Sequence, residues 1–367
     1  MTRYAHITGW GMSVPERVLT NDEIAQFVDT NDAWIRERTG IRERHIANPE
    51  ETTGLLATQA ALKAMEVANV RPTDVDMIIV ATSSPEHLFP STACLVQDRI
   101  GATDCGAFDI LAACSGFIYA VDIAAQAIKS GSIQTALVIG SETLSRLVNW
   151  RDRTTCILFG DGAGAFVLQA SDEPGGVLSS MLRSDGSGGD LLTIPAGGSS
   201  IPASPHSVGN DLHFIQMNGR EVYRFATRVM AKATEQVVEA AGLKMEDIHL
   251  IVPHQANYRI IEAAARGLKL PLERFVINVE RYGNTSTASI PIALCEAIES
   301  GRLQREQNIV IVGFGAGLTW GAAAIHWTGP FPSEKKVYQQ RYQLLARARS
   351  IARRTLRRVE GWIYGRK

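Results

Sequence analysis

A short motif occurs twice in this chain, 170 residues apart: Ala127-Ile128-Lys129-Ser130-Gly131 and Ala297-Ile298-Glu299-Ser300-Gly301. Each copy closes a stretch of helical composition, Ser115 to Ser130 and Ser286 to Ser300. Each is followed by an apolar run ending in glycine, Thr135 to Gly140 and Asn308 to Gly313. A further strand-like segment after a glycine-rich turn, Thr319 to Trp327, echoes Ala163 to Gln169. Five matching residues arise by chance, but a matching order of elements around them marks a duplicated unit. Short β-rich runs such as Asp76 to Ala81 alternate with helical stretches, which predicts an α/β fold with buried central strands. Gly131 and Gly301 stand where a helix C-terminal cap is expected. The expectation is two halves, residues 1–170 and 171–330, whose pseudo-twofold relation brings two helix starts together. The 170-residue offset carries Cys114 onto Asn284.

The charge balance sharpens this division. The 367 residues include 37 basic and 38 acidic side chains, a net charge of −1. From Phe331 to Lys367, eleven basic residues face only Glu334 and Glu360. The tail therefore carries +9 and the body −10, which argues against nucleic acid as the body's partner. Five cysteines without CxxC spacing read as reduced thiols of a cytoplasmic protein, with no metal site. The N-terminus lacks an apolar signal core, and no run is long enough to span a membrane.

Two glycine turns, Gly160 to Gly164 and Gly313 to Gly317, match neither a dinucleotide fingerprint nor a P-loop. Strands, not helices, follow both, so they read as places of close backbone approach. The stretch from Arg183 to His213 is irregular and rich in small residues, either a surface excursion or an active-site loop.

Four features combine into one chemistry. Cys114 lies among small residues at the start of a predicted helix, where the helix dipole is expected to lower a thiol pKa. His254 follows a strand in Pro253-His254-Gln255-Ala256-Asn257. Asn284 begins the second helix, where an N-cap is the commoner role. The turn Gly313 to Gly317 offers a backbone N–H. A thiol, an imidazole, an amide and a backbone donor suit acyl transfer through a thioester.

These residues sit in motifs that closely resemble the β-ketoacyl-acyl-carrier-protein synthase III family, condensing enzymes of the thiolase-like superfamily. The motifs are Trp34-Ile35 with Arg38 to Arg44, Phe89-Pro90-Ser91, Ala113-Cys114-Ser115-Gly116-Phe117, Phe159 to Gly164, His254 to Asn257, Tyr282 to Ser286 and Gly313 to Gly321. The resemblance runs from about Tyr4 to Trp327. It implies a thiolase-like α-β-α-β-α architecture and a catalytic triad of Cys114, His254 and Asn284. It implies oxyanion donors at the backbone of Cys114 and Ala316. It implies a CoA site formed by Thr30, Trp34, Arg38, Arg153, Gly219 and Asn257, with Trp34 and Arg153 sandwiching the adenine. Phe89 would enter the acyl pocket of a second subunit in a homodimer, and Arg224, Arg259 and Arg266 would receive the acyl carrier protein. The implied reaction condenses a short acyl-CoA, acetyl-CoA first, with malonyl-carrier protein and needs no resident cofactor. Starter or acyl-transfer synthases of polyketide and secondary metabolism resemble it on the same fold, although plant-type polyketide synthases place Pro where this chain has Ala316. A non-catalytic carrier-protein or membrane-binding scaffold is the reading from another class.

The resemblance leaves 331–367 uncovered. Tyr338, Tyr342, Leu345, Ala352, Leu356, Val359 and Ile363 share one face of a helical wheel, with Arg341 and Arg349 intruding. The tail is read either as a basic helix packed on its own dimer or frayed in solvent, or as one that contacts an anionic membrane or an acidic carrier protein.

Overall fold

The computed structural model describes residues 2–331 and 337–363, with the side chains of residues 361 and 363 excepted. Two sheets form the scaffold. The first contains β1 (Tyr4–Ser13), β2 (Met77–Ala81), β3 (Gly106–Ile110), β4 (Thr135–Thr143) and β5 (Asp161–Ser171), in the order β1-β5-β4-β2-β3. The second contains β6 (Gly176–Ser184), β7 (Ile248–Pro253), β8 (Gln307–Gly315) and β9 (Thr319–Trp327), in the order β7-β8-β9-β6. The orders superimpose with β1, β5, β4 and β2 matching β6, β9, β8 and β7. A parallel bridge from Ile251 to Phe275 stands where β3 pairs in the first half. The chain passes from one sheet to the other between Ser171 and Gly176.

The layers follow from which strand faces are apolar. The central strands are buried almost throughout, as in Thr135–Thr143 and Ile309–Gly315. Each sheet must therefore be covered on both faces. Two helices, α1 (Gly116–Lys129) and α2 (Ser289–Glu299), lie between the sheets and contribute Phe117, Val121, Ile290 and Leu294 to one shared core. The Thr53–Ala68 helix covers the outer face of the first sheet. The Gly219–Ala240 and Tyr258–Leu268 helices cover the outer face of the second. The result is the five-layer α-β-α-β-α arrangement.

Both expected cap glycines are present. Gly131 (φ 82°) and Gly301 (φ 74°) take left-handed backbone, and their N–H groups return to Ile128 and Ile298. Helix ends therefore keep the 170-residue offset. Helix starts do not: α1 begins at Gly116 and α2 at Ser289, because α2 is three residues shorter. The turns before them, Ala113–Ser115 and Ser286–Ala288, are equivalent. Each opens on a non-glycine residue with positive φ, Ala113 at 44° and Ser286 at 47°. The backbone counterpart of Cys114 is thus Thr287, and Asn284 lies three residues ahead of it.

Glycine lets the halves meet. A side chain at Gly140, in the middle of β4, would fall 2.2 Å from the Thr287 carbonyl oxygen. At Gly160 one would fall 2.3 Å from the Tyr282 carbonyl oxygen. The first glycine turn is therefore a seam between backbones.

Candidate active site

Cys114 sits in the turn before α1 and lines a cavity of about 430 Å³. The walls are mostly apolar and include Leu111, Leu144, Phe159 and Ile215. Leu192, Thr193 and Ile194 also line it, so the irregular stretch after Arg183 reaches the site. Ala316 and Gly317 close one side. Ala316 is absent from the positive-φ residues, so alanine carries no backbone strain there. A side chain at Gly315 would fall 2.7 Å from the Cys114 backbone nitrogen. Gly315 is what lets the β8 turn lie against the turn that carries Cys114.

His254 follows β7 and is almost fully buried. Its backbone N–H donates to the Val312 carbonyl (2.8 Å), and its ring meets Phe314 edge-on with centroids 5.3 Å apart. Nδ1 shares a 2.7 Å hydrogen bond with the Ser289 hydroxyl, at the start of α2. Nε2 is buried with no protein partner among the described residues. The Ser289 oxygen also accepts from the Gln255 N–H at 3.4 Å, which leaves its own hydrogen for Nδ1. The hydrogen-bond network thus favours the tautomer with hydrogen on Nε2. Asn284 is fixed through its backbone: its N–H donates to Leu158 (2.8 Å) and its carbonyl accepts from Gly160 (3.1 Å). Its Oδ1 takes the Ser286 N–H at 2.8 Å, so Nδ2 remains as the side chain's donor. Asn284 is therefore not a helix N-cap; α2 starts five residues later.

The electrostatics depart from the expectation for the thiol. Burial pushes Cys114 up to about 12, opposed in part by the Ser286 hydroxyl. The turn withdraws Cys114 from water, and this loss of hydration exceeds the gain expected from a helix start. Burial also lowers His254 to about 3. Thiol and imidazole are both neutral at rest.

Three supporting residues escaped the sequence reading because each is recognisable only by its partners. Glu142, at the end of β4, is wholly buried and its pKa is raised by that burial. It accepts from the Ser84 hydroxyl (2.6 Å), the Ser83 N–H (3.0 Å) and the Thr287 hydroxyl (3.1 Å). Thr287 also reaches the Ala81 carbonyl at 2.8 Å, which ties the Ser286–Ala288 turn to the first sheet. Arg44 is fully buried and donates to the carbonyls of Leu19 and Ile157 and to the Asn21 amide oxygen. It backs the segment on which Asn284 pairs.

The remaining expected residues lie at the surface. Trp34 is half-buried on the Asp32–Thr39 helix, with the Arg153 guanidinium 5.0 Å and the Arg38 guanidinium 5.4 Å from its ring centroid. Two stacking contacts would need about 7–8 Å, so a purine enters between Trp34 and Arg153 only after the Arg153 side chain swings. Arg153 is held here by the Asp29 carbonyl at 2.7 Å. The Thr30 hydroxyl is buried without a partner among the described residues. Gly219 opens the Gly219–Ala240 helix. The Asn257 side chain caps the next helix through Arg259 N–H and donates to the Arg38 carbonyl at 3.0 Å. Arg224, Arg259 and Arg266 are exposed on these two adjacent helices, with Arg224 and Arg266 paired to Glu221 and Glu262. Phe89 is 86 % exposed beside equally exposed Leu88.

Residues 108–186 match the family described as 3-oxoacyl-[acyl-carrier-protein (ACP)] synthase III, and residues 238–327 match its C-terminal family. The chain is 56 % identical over 321 residues to the β-ketoacyl-[acyl-carrier-protein] synthase III of Symbiobacterium thermophilum, covering 88 % of this chain and 97 % of that protein. It is 49 % identical over 328 residues to the synthase III of a Roseiflexus species, covering 89 % of this chain and all of that protein. The chain belongs to the β-ketoacyl-[acyl-carrier-protein] synthase III family. The crystal structure of the Aquifex aeolicus synthase III, 47 % identical, superimposes with a TM-score of 0.81 over 88 % of this chain and all of that one. In this family member the cavity, the buried cysteine and the two amide-and-imidazole donors all come from the matched body.

Proposed function

We propose that this synthase condenses a short acyl-CoA, acetyl-CoA first, with malonyl-acyl-carrier protein to give a 3-oxoacyl-carrier protein, the initiating step of fatty-acid synthesis. The first half, 1–170, supplies the nucleophile Cys114, and the second, 171–330, supplies His254 and Asn284. The observation that carries this reading is the neutral, buried His254 with Nδ1 held by Ser289 and Nε2 without a partner among the described residues. An imidazole kept neutral can donate from Nε2 to a thioester oxygen and withstand the negative charge that develops there.

The Cys114 thiol gives up its proton as it attacks the acyl-CoA carbonyl, and CoA leaves as the thiol. The acyl group remains as a thioester at the foot of the apolar cavity. Malonyl-carrier protein then brings its thioester oxygen to His254 Nε2–H and Asn284 Nδ2–H. Loss of CO2 leaves an enolate on that oxygen, stabilised by the two donors in a dry site. The enolate carbon attacks acyl-Cys114; the N–H groups of Cys114 and Ala316 hold the tetrahedral oxyanion, and Cys114 departs. No cofactor is required beyond the two substrates. Thr30, Trp34, Arg38, Arg153, Gly219 and Asn257 line the CoA approach, and Arg224, Arg259 and Arg266 form the basic surface for the carrier protein. The protein acts in the cytoplasm as a homodimer in which the exposed Phe89 enters the other subunit's acyl cavity.

Incubating the full chain with acetyl-, propionyl- and branched acyl-CoA plus malonyl-carrier protein tests the reading. The expected product is the two-carbon-extended 3-oxoacyl-carrier protein. Acyl transfer to another acceptor without CO2 release would overturn it in favour of the secondary-metabolic synthases.

A further inference from the structure

The C-terminal helix Gln339–Ile363 lies beyond the family match, which ends at residue 327. Relatives matched over 97 to 100 % of their own length cover only 88 to 89 % of this chain, a shortfall of the size of this C-terminal stretch, so the shared reaction does not need it. Its first half is fastened to the body. Gln339 donates to the Val70 carbonyl (2.8 Å), Ala346 packs at Gly101, and the Ser350 hydroxyl reaches Asp98 (2.7 Å). The docked side is small and polar: Gln339, Tyr342, Ala346 and Ser350.

This inverts the usual arrangement of an amphipathic helix on a protein. Leu344, Leu345, Ile351, Leu356, Val359 and Trp362 are 46 to 86 % exposed. At 100° per residue they fall within an arc of about 140°, turned away from the docked side. The expected wheel face placed Tyr342 in this stripe; the structure puts it against the body. From Leu344 to Trp362 the stripe runs roughly 27 Å. Arg347, Arg354 and Arg358 border one edge, and Arg349 and Arg353 the other. Of the seven helix arginines only Arg354 has a carboxylate partner among the described residues, Asp98 at 3.2 Å. Glu360 is the helix's one acidic residue.

We infer that this helix lays the enzyme on an anionic lipid surface. An apolar stripe bordered on both edges by arginines, of which only Arg354 has a carboxylate partner among the described residues, is the form of an interfacial helix. No helix among the described residues is long and apolar enough to cross a membrane, so the contact is peripheral. A second copy of the helix would set seven arginines against seven. An acidic carrier protein would answer the charge and leave the stripe in water.

The test is vesicle flotation of the full chain, using phosphatidylcholine alone and an equal mixture with phosphatidylglycerol. The account expects at least about tenfold more protein on the anionic vesicles, falling with added salt. Leu356→Glu/Trp362→Glu abolishes the binding, and Arg347→Glu/Arg358→Glu removes the preference for anionic lipid. Both variants retain acyl-enzyme formation, which shows that they are folded. Equal binding to the two vesicles, or binding unchanged in the stripe variant, overturns the inference. So does vesicle binding that is absent while the stripe variant loses retention on immobilised carrier protein or changes oligomeric state.

Discussion

The turns Ala113–Ser115 and Ser286–Ala288 share a backbone and differ in use. Both precede a helix between the sheets and both open on a strained positive φ. In the first, the central side chain is a thiol that lines the cavity. In the second it is Thr287, whose hydroxyl is spent on Ala81 and Glu142. One copy presents a thiol to the cavity, and the other is anchored to the first sheet. Two equivalent turns stand at the start of the two central helices, and only the first places a thiol in the cavity.

Opposite costs are expected for the donors at the site and for the turn that supports it. The largest expected loss, after the nucleophile itself, falls on the donors. His254→Ala or Asn284→Ala should lower malonyl-carrier-protein decarboxylation by roughly 10²–10³, measured as CO2 release. Because burial takes His254 from an ordinary 6.5 to about 3, no limb of that activity should appear near pH 6.5. The sign for stability follows: unfolding lets His254 take up a proton below 6.5, so this contribution is present above 6.5 and is lost as pH falls toward about 3. A wild-type acid limb at 6.5 that vanishes in His254→Gln would break this part of the account.

Thr287→Val keeps the shape and removes the hydroxyl. It should cost about 1–3 kcal/mol in denaturant unfolding, because Glu142 loses a donor in a buried site. Acyl-enzyme yield at saturating acyl-CoA should stay near wild type. Unchanged stability would show that the second turn is not an anchor. The smallest effect is expected at the surface. Trp34→Ala removes the ring beside Arg153 and Arg38, worth about 1 kcal/mol, and should raise KM for acyl-CoA with kcat little changed.

Much of this architecture is legible from residues because it rests on backbone. The cap glycines, the strand runs and the seam glycines state their roles through conformation or close approach. The pairing of Cys114 with Asn284 at a fixed offset was not, since the three-residue shortening of α2 falls between two motifs that match well. The thiol's raised pKa is not legible either. A helix start is visible in sequence, whereas the burial that dominates at Cys114 depends on Gly315, Ser286 and Glu142 arriving from elsewhere. The tail shows a related limit: its apolar stripe is periodic, but which face docks is decided by Gly101 and Asp98, far away in the chain.

Cys114 alone is expected to carry the acyl group, although burial keeps its thiol protonated at rest. Intact mass of the full chain after mixing with acetyl-CoA tests this directly. One acetyl mass per chain is predicted for wild type and none for Cys114→Ala, with the unfolding transition of that variant little changed. Acetylation that persists in Cys114→Ala would contradict the account.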